Sequence, residues 1–250
     1  MGQQSLVFVV SFAKAGTHLL GALMRKLGYQ VMGPILPPAV QQQLFTDPMG
    51  LPPQSCVMFH KLPLSDFPRD LAVHWHQTGS PAVFLNYRDP RDILCSYVRF
   101  LMRNTENKTF EPSPAQLSHS FILQSLPDHD ARLMHAITDT TFPYHTVFED
   151  STWLYHHPLV CKVAFERLVG AQGGGSEEEQ RTQIAEILRH LGVVGDPATF
   201  AEGIFRKDSG TFAKGQVGSF REEFKAEHYT AFNERFRDML ELYGYDVVEP

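Results

Sequence analysis

Apolar residues run unbroken from Leu6 to Val10 and give way to Ser11-Phe12-Ala13-Lys14-Ala15-Gly16-Thr17-His18. Beyond them Leu19, Leu20, Leu23, Met24 and Leu27 recur at helical spacing and share one face. That change of period predicts a buried strand, a tight turn and a helix beginning near Thr17. The same change recurs at Phe84-Leu85-Asn86-Tyr87-Arg88-Asp89-Pro90-Arg91-Asp92, which leads into a helical face of Ile93, Leu94, Tyr97, Val98 and Leu101. Asp89 suits the N-cap there and Pro90 the first helical position.

Elsewhere Val57 to His60 and Ala82 to Tyr87 read as buried strands, and His145 to Phe148 as a short strand before Glu149-Asp150. Ser176 and Glu179 form a capping box for a helix that buries Ile184, Ile187, Leu188 and Leu191. Phe224, Phe232, Phe236, Met239 and Tyr243 make the packing stripe of a last helix. Met32 to Pro53 and Asn104 to Pro114 read as loops, and Gly170 to Gly175 as a flexible one. Strands alternating with helices predict an α/β fold of three layers, with a central parallel sheet flanked by helices. No internal repeat interrupts it, and 250 residues with 43% apolar content suit a single domain over 1–250.

Charge narrows the partners. The net charge is −6, from 22 Lys and Arg against 28 Asp and Glu, with no basic run. Nucleic acid is therefore not expected as a partner, because counterion release would have little to act on. No apolar stretch approaches the ~20 residues of a membrane span. The start of the chain has no basic region before its short apolar run, so a signal peptide is not expected, and Leu6 breaks the myristoylation pattern that Gly2 invites. Cys56, Cys95 and Cys161 are odd in number and far apart, which suggests a reducing, cytoplasmic setting without disulfides.

Any anion site must then be local. A strand-turn-helix aims unpaired backbone N–H groups at whatever binds there, and Lys14 with Thr17 makes a phosphate the expected guest. The Walker spacing G-x-x-x-x-G-K-[ST] is nowhere present, which disfavours a kinase-like phosphotransferase. Arg88 stands at the end of the second strand, where open α/β sheets bind ligands, and Ser96 follows two helical turns later.

On these residues the chain resembles the sulfotransferases that use 3′-phosphoadenosine-5′-phosphosulfate (PAPS). Lys14-Ala15-Gly16-Thr17 is similar to their 5′-phosphosulfate loop, and Arg88 through Ser96 to their 3′-phosphate segment. Lys214-Gly215-Gln216-Val217-Gly218-Ser219-Phe220-Arg221 is similar to their C-terminal glycine motif. The three occur in family order across nearly the whole chain. Ala13 and Ala15 stand where the family has proline and serine, and Leu19 where many members have a tryptophan. Ala213 and Phe220 replace an arginine and a tryptophan of the last motif; Arg206 or Lys207 would have to supply the missing charge.

The resemblance implies a P-loop-like fold and transfer of a sulfuryl group from PAPS to a hydroxyl or amine, leaving adenosine 3′,5′-bisphosphate (PAP). It puts Lys14 on the bridging oxygen, Ala15, Gly16, Thr17 and His18 around the 5′-phosphate, and Arg88 and Ser96 on the 3′-phosphate. Lys214 and Gly215 close over that phosphate, and no metal is required. The acceptor also needs a base. His60 is the first candidate, because imidazole accepts a proton near neutrality. Aligning the prolines puts Lys61 instead at the family's histidine position, so His60 needs a bulge or turn to face the site; His18 is the next choice. His74 and His76, at strand-like spacing around Trp75, lack further ligands for zinc. His156-His157 reads as a loop before Pro158, and Asp150 as a helix cap. The acceptor is a small molecule, partly apolar if Phe45, Phe59, Phe100, Phe110 and Tyr144 line its pocket. The competing class is a catalytically weak nucleotide-binding protein of the same fold.

Overall fold

The computed structural model describes residues 6–33, 44, 51–52, 54–104, 113–145, 148, 150–205 and 215–249. The strands are β1 (Leu6–Ser11), β2 (Gln30–Met32), β3 (Ser55–Phe59), β4 (Ala82–Tyr87) and β5 (Val160–Ala164). The helices, in chain order, are α1 (Thr17–Lys26), α2 (Arg69–Thr78), α3 (Pro90–Asn104), α4 (Pro114–Ser125) and α5 (His129–Thr138). They continue with α6 (Thr152–His156), α7 (Phe165–Leu168), α8 (Glu177–Leu191), α9 (Pro197–Ala201) and α10 (Ala226–Leu242). The chain divides into two compact units, Met1–Tyr87 with Val147–Arg206 and Arg88–Thr146 with Lys207–Pro250.

The first unit holds the sheet, with all neighbours parallel in the order β2-β3-β1-β4-β5. β1, β3 and β4 are apolar at nearly every position because both sheet faces are covered, as parallel sheets require. Leu19, Leu20, Leu23, Met24 and Leu27 are all buried, so the face read from the sequence is the one α1 packs. Val10 lies opposite Phe59 and Ser11 opposite Asn86, which brings the ends of β3, β1 and β4 side by side. From β1 the chain proceeds toward β2 at one edge, and from β4 toward β5 at the other. Neighbouring strands whose exits diverge leave a crevice at their carboxyl ends, the usual ligand position in such sheets.

The second unit is helical. Ile93, Leu94, Tyr97, Val98 and Leu101 of α3 are buried, beside Leu133 and Ile137 of α5 and Phe232, Phe236 and Leu240 of α10. Asp89 caps α3 as expected, accepting the Arg91 N–H at 2.9 Å, with Pro90 the first helical residue.

Several expectations are corrected. His145 belongs to a turn, its N–H bonded to the Phe142 carbonyl and its Nε2 3.1 Å from the Ala136 carbonyl. The edge strand is instead β5, whose Lys162 breaks the apolar signal. β2 begins before the expected loop, most of which lies outside the described residues. His74, Trp75 and His76 are on helix α2, where Leu71 and Trp75 form the buried face. Ser176 caps α8 by accepting the Glu179 N–H. Phe224 and Tyr243 flank α10, and Leu240 rather than Met239 completes its packed face.

Candidate functional site

The loop after β1 is bent by two residues in the left-handed region, Lys14 (φ 69°) and Gly16 (φ 91°). Glycine adopts such a φ at no steric cost, whereas for lysine it costs about 1–2 kcal/mol. A Cβ on Gly16 would also come within 2.5 Å of the Phe165 ring, so the position admits no side chain unless that buried ring moves. Gly16 occupies the N-cap of α1 with no side-chain cap, and the first turn has no acidic residue. No acidic group of the first turn thus offsets the helix dipole there, a condition that favours an external anion.

Polar residues at the strand ends hold this loop. Asn86 donates from Nδ2 to Ser11 Oγ at 2.8 Å and to the Ala15 carbonyl at 3.1 Å. Ser11 Oγ lies 2.7 Å from Thr17 Oγ1, so one hydrogen-bonded chain joins β4, β1 and the start of α1. Thr17 is buried in this network. A buried asparagine in an otherwise apolar strand is the signal that could have identified Asn86 from the sequence.

His60 sits in a bend just beyond β3. Its Nδ1 is 3.1 Å from the Ser11 carbonyl. A carbonyl only accepts, so Nδ1 carries the proton and Nε2 the lone pair. Burial, followed by the Lys14 and His18 charges, pulls the His60 pKa below the ordinary imidazole value, while the Ser11 carbonyl opposes the shift. The ring is therefore neutral at neutral pH. Lys61 points elsewhere, pairing with Asp150 at 2.8 Å on the exposed surface. Asp150 thus does not cap α6, whose N-cap is Ser151. Desolvation, then Lys14 and Arg25, lowers the His18 pKa as well.

In the second unit Arg88, the residue next after β4, is buried. Its Nη2 donates to Asp92 Oδ2 at 3.0 Å and to the Gln216 carbonyl at 2.7 Å. Asp92 accepts three further hydrogen bonds, from Gly218 N at 2.9 Å, Ser219 Oγ at 2.9 Å and Phe220 N at 3.0 Å. One carboxylate thereby fastens the C-terminal glycine segment to the first turn of α3. Gly218 has φ 70° and Gly215 φ 59°, turns that glycine alone adopts without strain. Arg91 clasps Asp89 through Nε at 2.9 Å and Nη2 at 2.8 Å and lies 4.2 Å from the Phe220 ring centroid. The arginine thus covers the phenylalanine that stands in the tryptophan position. Ser96 is buried on α3. Lys214, Ala213, Arg206 and Lys207 lie outside the described residues.

Of the aromatic acceptor candidates, Phe59 and Tyr144 are core. Phe59 packs edge-on to Phe8 at 5.6 Å, and the Tyr144 hydroxyl donates to the Pro90 carbonyl at 2.7 Å. Phe100 is half-buried, and Phe45 and Phe110 lie outside the described residues. Cys56, Cys95 and Cys161 are free thiols; burial pushes Cys56 and Cys161 up to about 12, where they stay protonated and unreactive. His156 ends α6, and His157 stacks on Trp75 with ring centroids 4.3 Å apart. Among the described residues no helix is long and apolar enough to cross a membrane.

No protein-family model matches the chain, and no curated protein matches it. Solved structures do. Mouse sulfotransferase SULT7A1 complexed with PAP is similar with a TM-score of 0.62 at 17% identity, over 96% of this chain and 84% of that one. Retinol dehydratase in complex with androsterone and inactive cofactor PAP aligns with a TM-score of 0.48 at 17% identity, over 100% and 84% of the two chains. With a five-stranded parallel sheet flanked by helices and the likeness to SULT7A1, the chain is built on the sulfotransferase fold.

Proposed function

We propose that this protein transfers the sulfuryl group of PAPS to a hydroxyl or amine of a small, partly apolar acceptor in the cytoplasm. The observation that carries this reading is the pairing, at the ends of β1 and β3, of a left-handed Lys14–Gly16 loop with a neutral His60 held by the Ser11 carbonyl. The likeness in fold to a sulfotransferase complexed with PAP supports it.

In the proposed reaction the bond from sulfur to the bridging oxygen breaks as the bond from sulfur to the acceptor atom forms. The acceptor's proton passes to His60 Nε2, and PAP leaves with its new negative charge opposite Lys14. A compact ammonium suits a point charge on a leaving group. The N–H groups of Gly16, Thr17 and His18 would hold the 5′-phosphate alongside Ala15. Arg88 and Ser96 would take the 3′-phosphate, with Gly215 and Lys214 closing over it. A guanidinium has five donors in a plane, so Arg88 can bond a phosphate while it keeps Asp92 and Gln216. As in phosphoryl transfer, positioning and charge stabilisation do most of the work, and these cations supply it without a metal.

The test is release of PAP from PAPS with a panel of phenols, aliphatic alcohols and amines, followed across pH. Only neutral His60 accepts a proton, and its lowered pKa keeps it neutral to lower pH than a free imidazole. Acceptor-dependent turnover is expected, with kcat/KM rising along a one-proton limb centred below about 6.5 and level at neutrality. His60→Ala should lose both the limb and most of the rate. No acceptor-dependent release of PAP, together with retained PAP binding, would instead identify a nucleotide-binding protein without transferase activity.

A further inference from the structure

The second unit contains a cluster of metal-ligating side chains that the transfer reaction does not use. His119 projects from α4, His135 from α5, and Asp139 follows α5 directly. His119 Nδ1 lies 3.4 Å from His135 Nε2, and His135 Nε2 lies 3.6 Å from Asp139 Oδ2. All three ligand atoms fall within 4.8 Å of one another. Tetrahedral zinc with bonds of about 2.0–2.1 Å requires ligand atoms about 3.3–3.4 Å apart, which the two imidazoles already meet, and the Asp139 carboxylate would close on them as the ion binds.

The surrounding groups set these ligands in the form a metal needs. His119 Nε2 is 3.1 Å from the Thr141 carbonyl, which can only accept, so Nε2 carries the proton and Nδ1 offers its lone pair to the cluster. Asp139 Oδ1 accepts from Thr141 N at 2.8 Å and from Thr141 Oγ1 at 2.7 Å, which turns Oδ2 toward His135. One residue, Thr141, therefore orients two of the three ligands, as the outer groups of metal centres commonly do. Phe142, itself buried, packs edge-on to the His119 ring at 5.1 Å and closes the apolar side. His135 and Asp139 remain part-exposed, which leaves an entry path and room for a water as fourth ligand.

We propose that His119, His135 and Asp139 bind one zinc ion, with water completing a tetrahedral site. Two imidazoles and a carboxylate favour zinc-like transition metals over magnesium or calcium. The ion clips α4 to α5 and to the turn that carries Phe142 and Tyr144. The Tyr144 hydroxyl donates to the Pro90 carbonyl, so this clip stiffens the start of α3, whose Asp92 pairs with Arg88.

The full chain, freed of any histidine tag and stripped with a chelator, is titrated calorimetrically with zinc chloride, and its melting temperature is followed with and without zinc. One saturable site and a zinc-dependent rise in melting temperature are expected. Cobalt in its place should give the visible absorption of a tetrahedral centre. Thr141→Ala should weaken zinc by about 10-fold, because it removes the Oγ1 bond to Asp139 while the Thr141 main chain still holds His119 and Asp139. His135→Ala, and independently Asp139→Asn should the first fail to fold, should abolish the site. Absence of saturable binding to the intact chain overturns the proposal. So does zinc bound equally well by Thr141→Ala and by whichever ligand variant folds, which would place the ion elsewhere, for instance at His76 and His157, whose Nε2 atoms lie 3.4 Å apart.

Discussion

Replacing Lys14 by Ala is expected to lower turnover about 10²–10³-fold, the usual cost of removing one group that stabilises charge developing in a transition state. PAP affinity should change only a few-fold, since the N–H groups at the start of α1 are backbone and survive the substitution. Lys14→Gly separates chemistry from folding. Lys14 has φ 69°, so glycine relieves a strained backbone and should leave the melting temperature unchanged or raised while turnover is lost. Lys14→Arg keeps the charge but spreads it over a planar fork and should restore little of the rate. Single-turnover release of PAP together with thermal melting checks all three variants. Undiminished turnover in Lys14→Ala would remove the lysine from the mechanism.

The second large effect is expected at Asp92. Its side chain is fully buried and accepts four hydrogen bonds, one from buried Arg88 and three from Gly218, Ser219 and Phe220. Asp92→Ala leaves a buried guanidinium without its carboxylate, a loss of about 3–5 kcal/mol. In a chain of 250 residues this corresponds to a fall in melting temperature on the order of 10 °C. Asp92→Asn preserves the shape, yet its amide nitrogen must face a donor, so it should fall between Ala and the native residue. Nucleotide affinity should decline in the same order, because the substitution releases both Arg88 and the glycine segment. Melting curves and PAP titrations on the two variants measure this. An Asp92→Ala protein as stable as the parent would show that the carboxylate fastens nothing.

Much of this arrangement is legible in the sequence, for identifiable reasons. β1 and α1, and β4 and α3, are marked by a change from an unbroken apolar run to a 3.6-residue period, with Gly16 and Pro90 at the boundaries. Those signals are local, and local signals survive in a single sequence. β5 is less legible because an edge strand needs fewer apolar residues and carries Lys162. The helix α2 is hidden for a different reason: His74, Trp75 and His76 mimic alternation, while the period is set by Leu71 and Trp75. The side chains that organise the site are the hardest to read. Asn86 acts across adjacent strands and Asp92 across 126 residues to Gly218, so neither partner can be identified from spacing. His119 and His135 are likewise joined only by the packing of α4 and α5. The bend that carries His60 just after Phe59 is likewise not encoded in apolar patterning.

The proposed function requires that the loop after β1 and the arginine after β4 bind two phosphates of one adenosine nucleotide. Calorimetric titration of the intact chain with PAP, 5′-AMP and ATP tests it most directly. PAP should bind in a one-to-one ratio, and at least about 10-fold more tightly than 5′-AMP, since charge-assisted hydrogen bonds to the 3′-phosphate contribute upward of about 1.5 kcal/mol. ATP, whose phosphates all extend from the 5′ position, should not match it. Equal affinity for PAP and 5′-AMP, or no binding of PAP at all, would contradict the account.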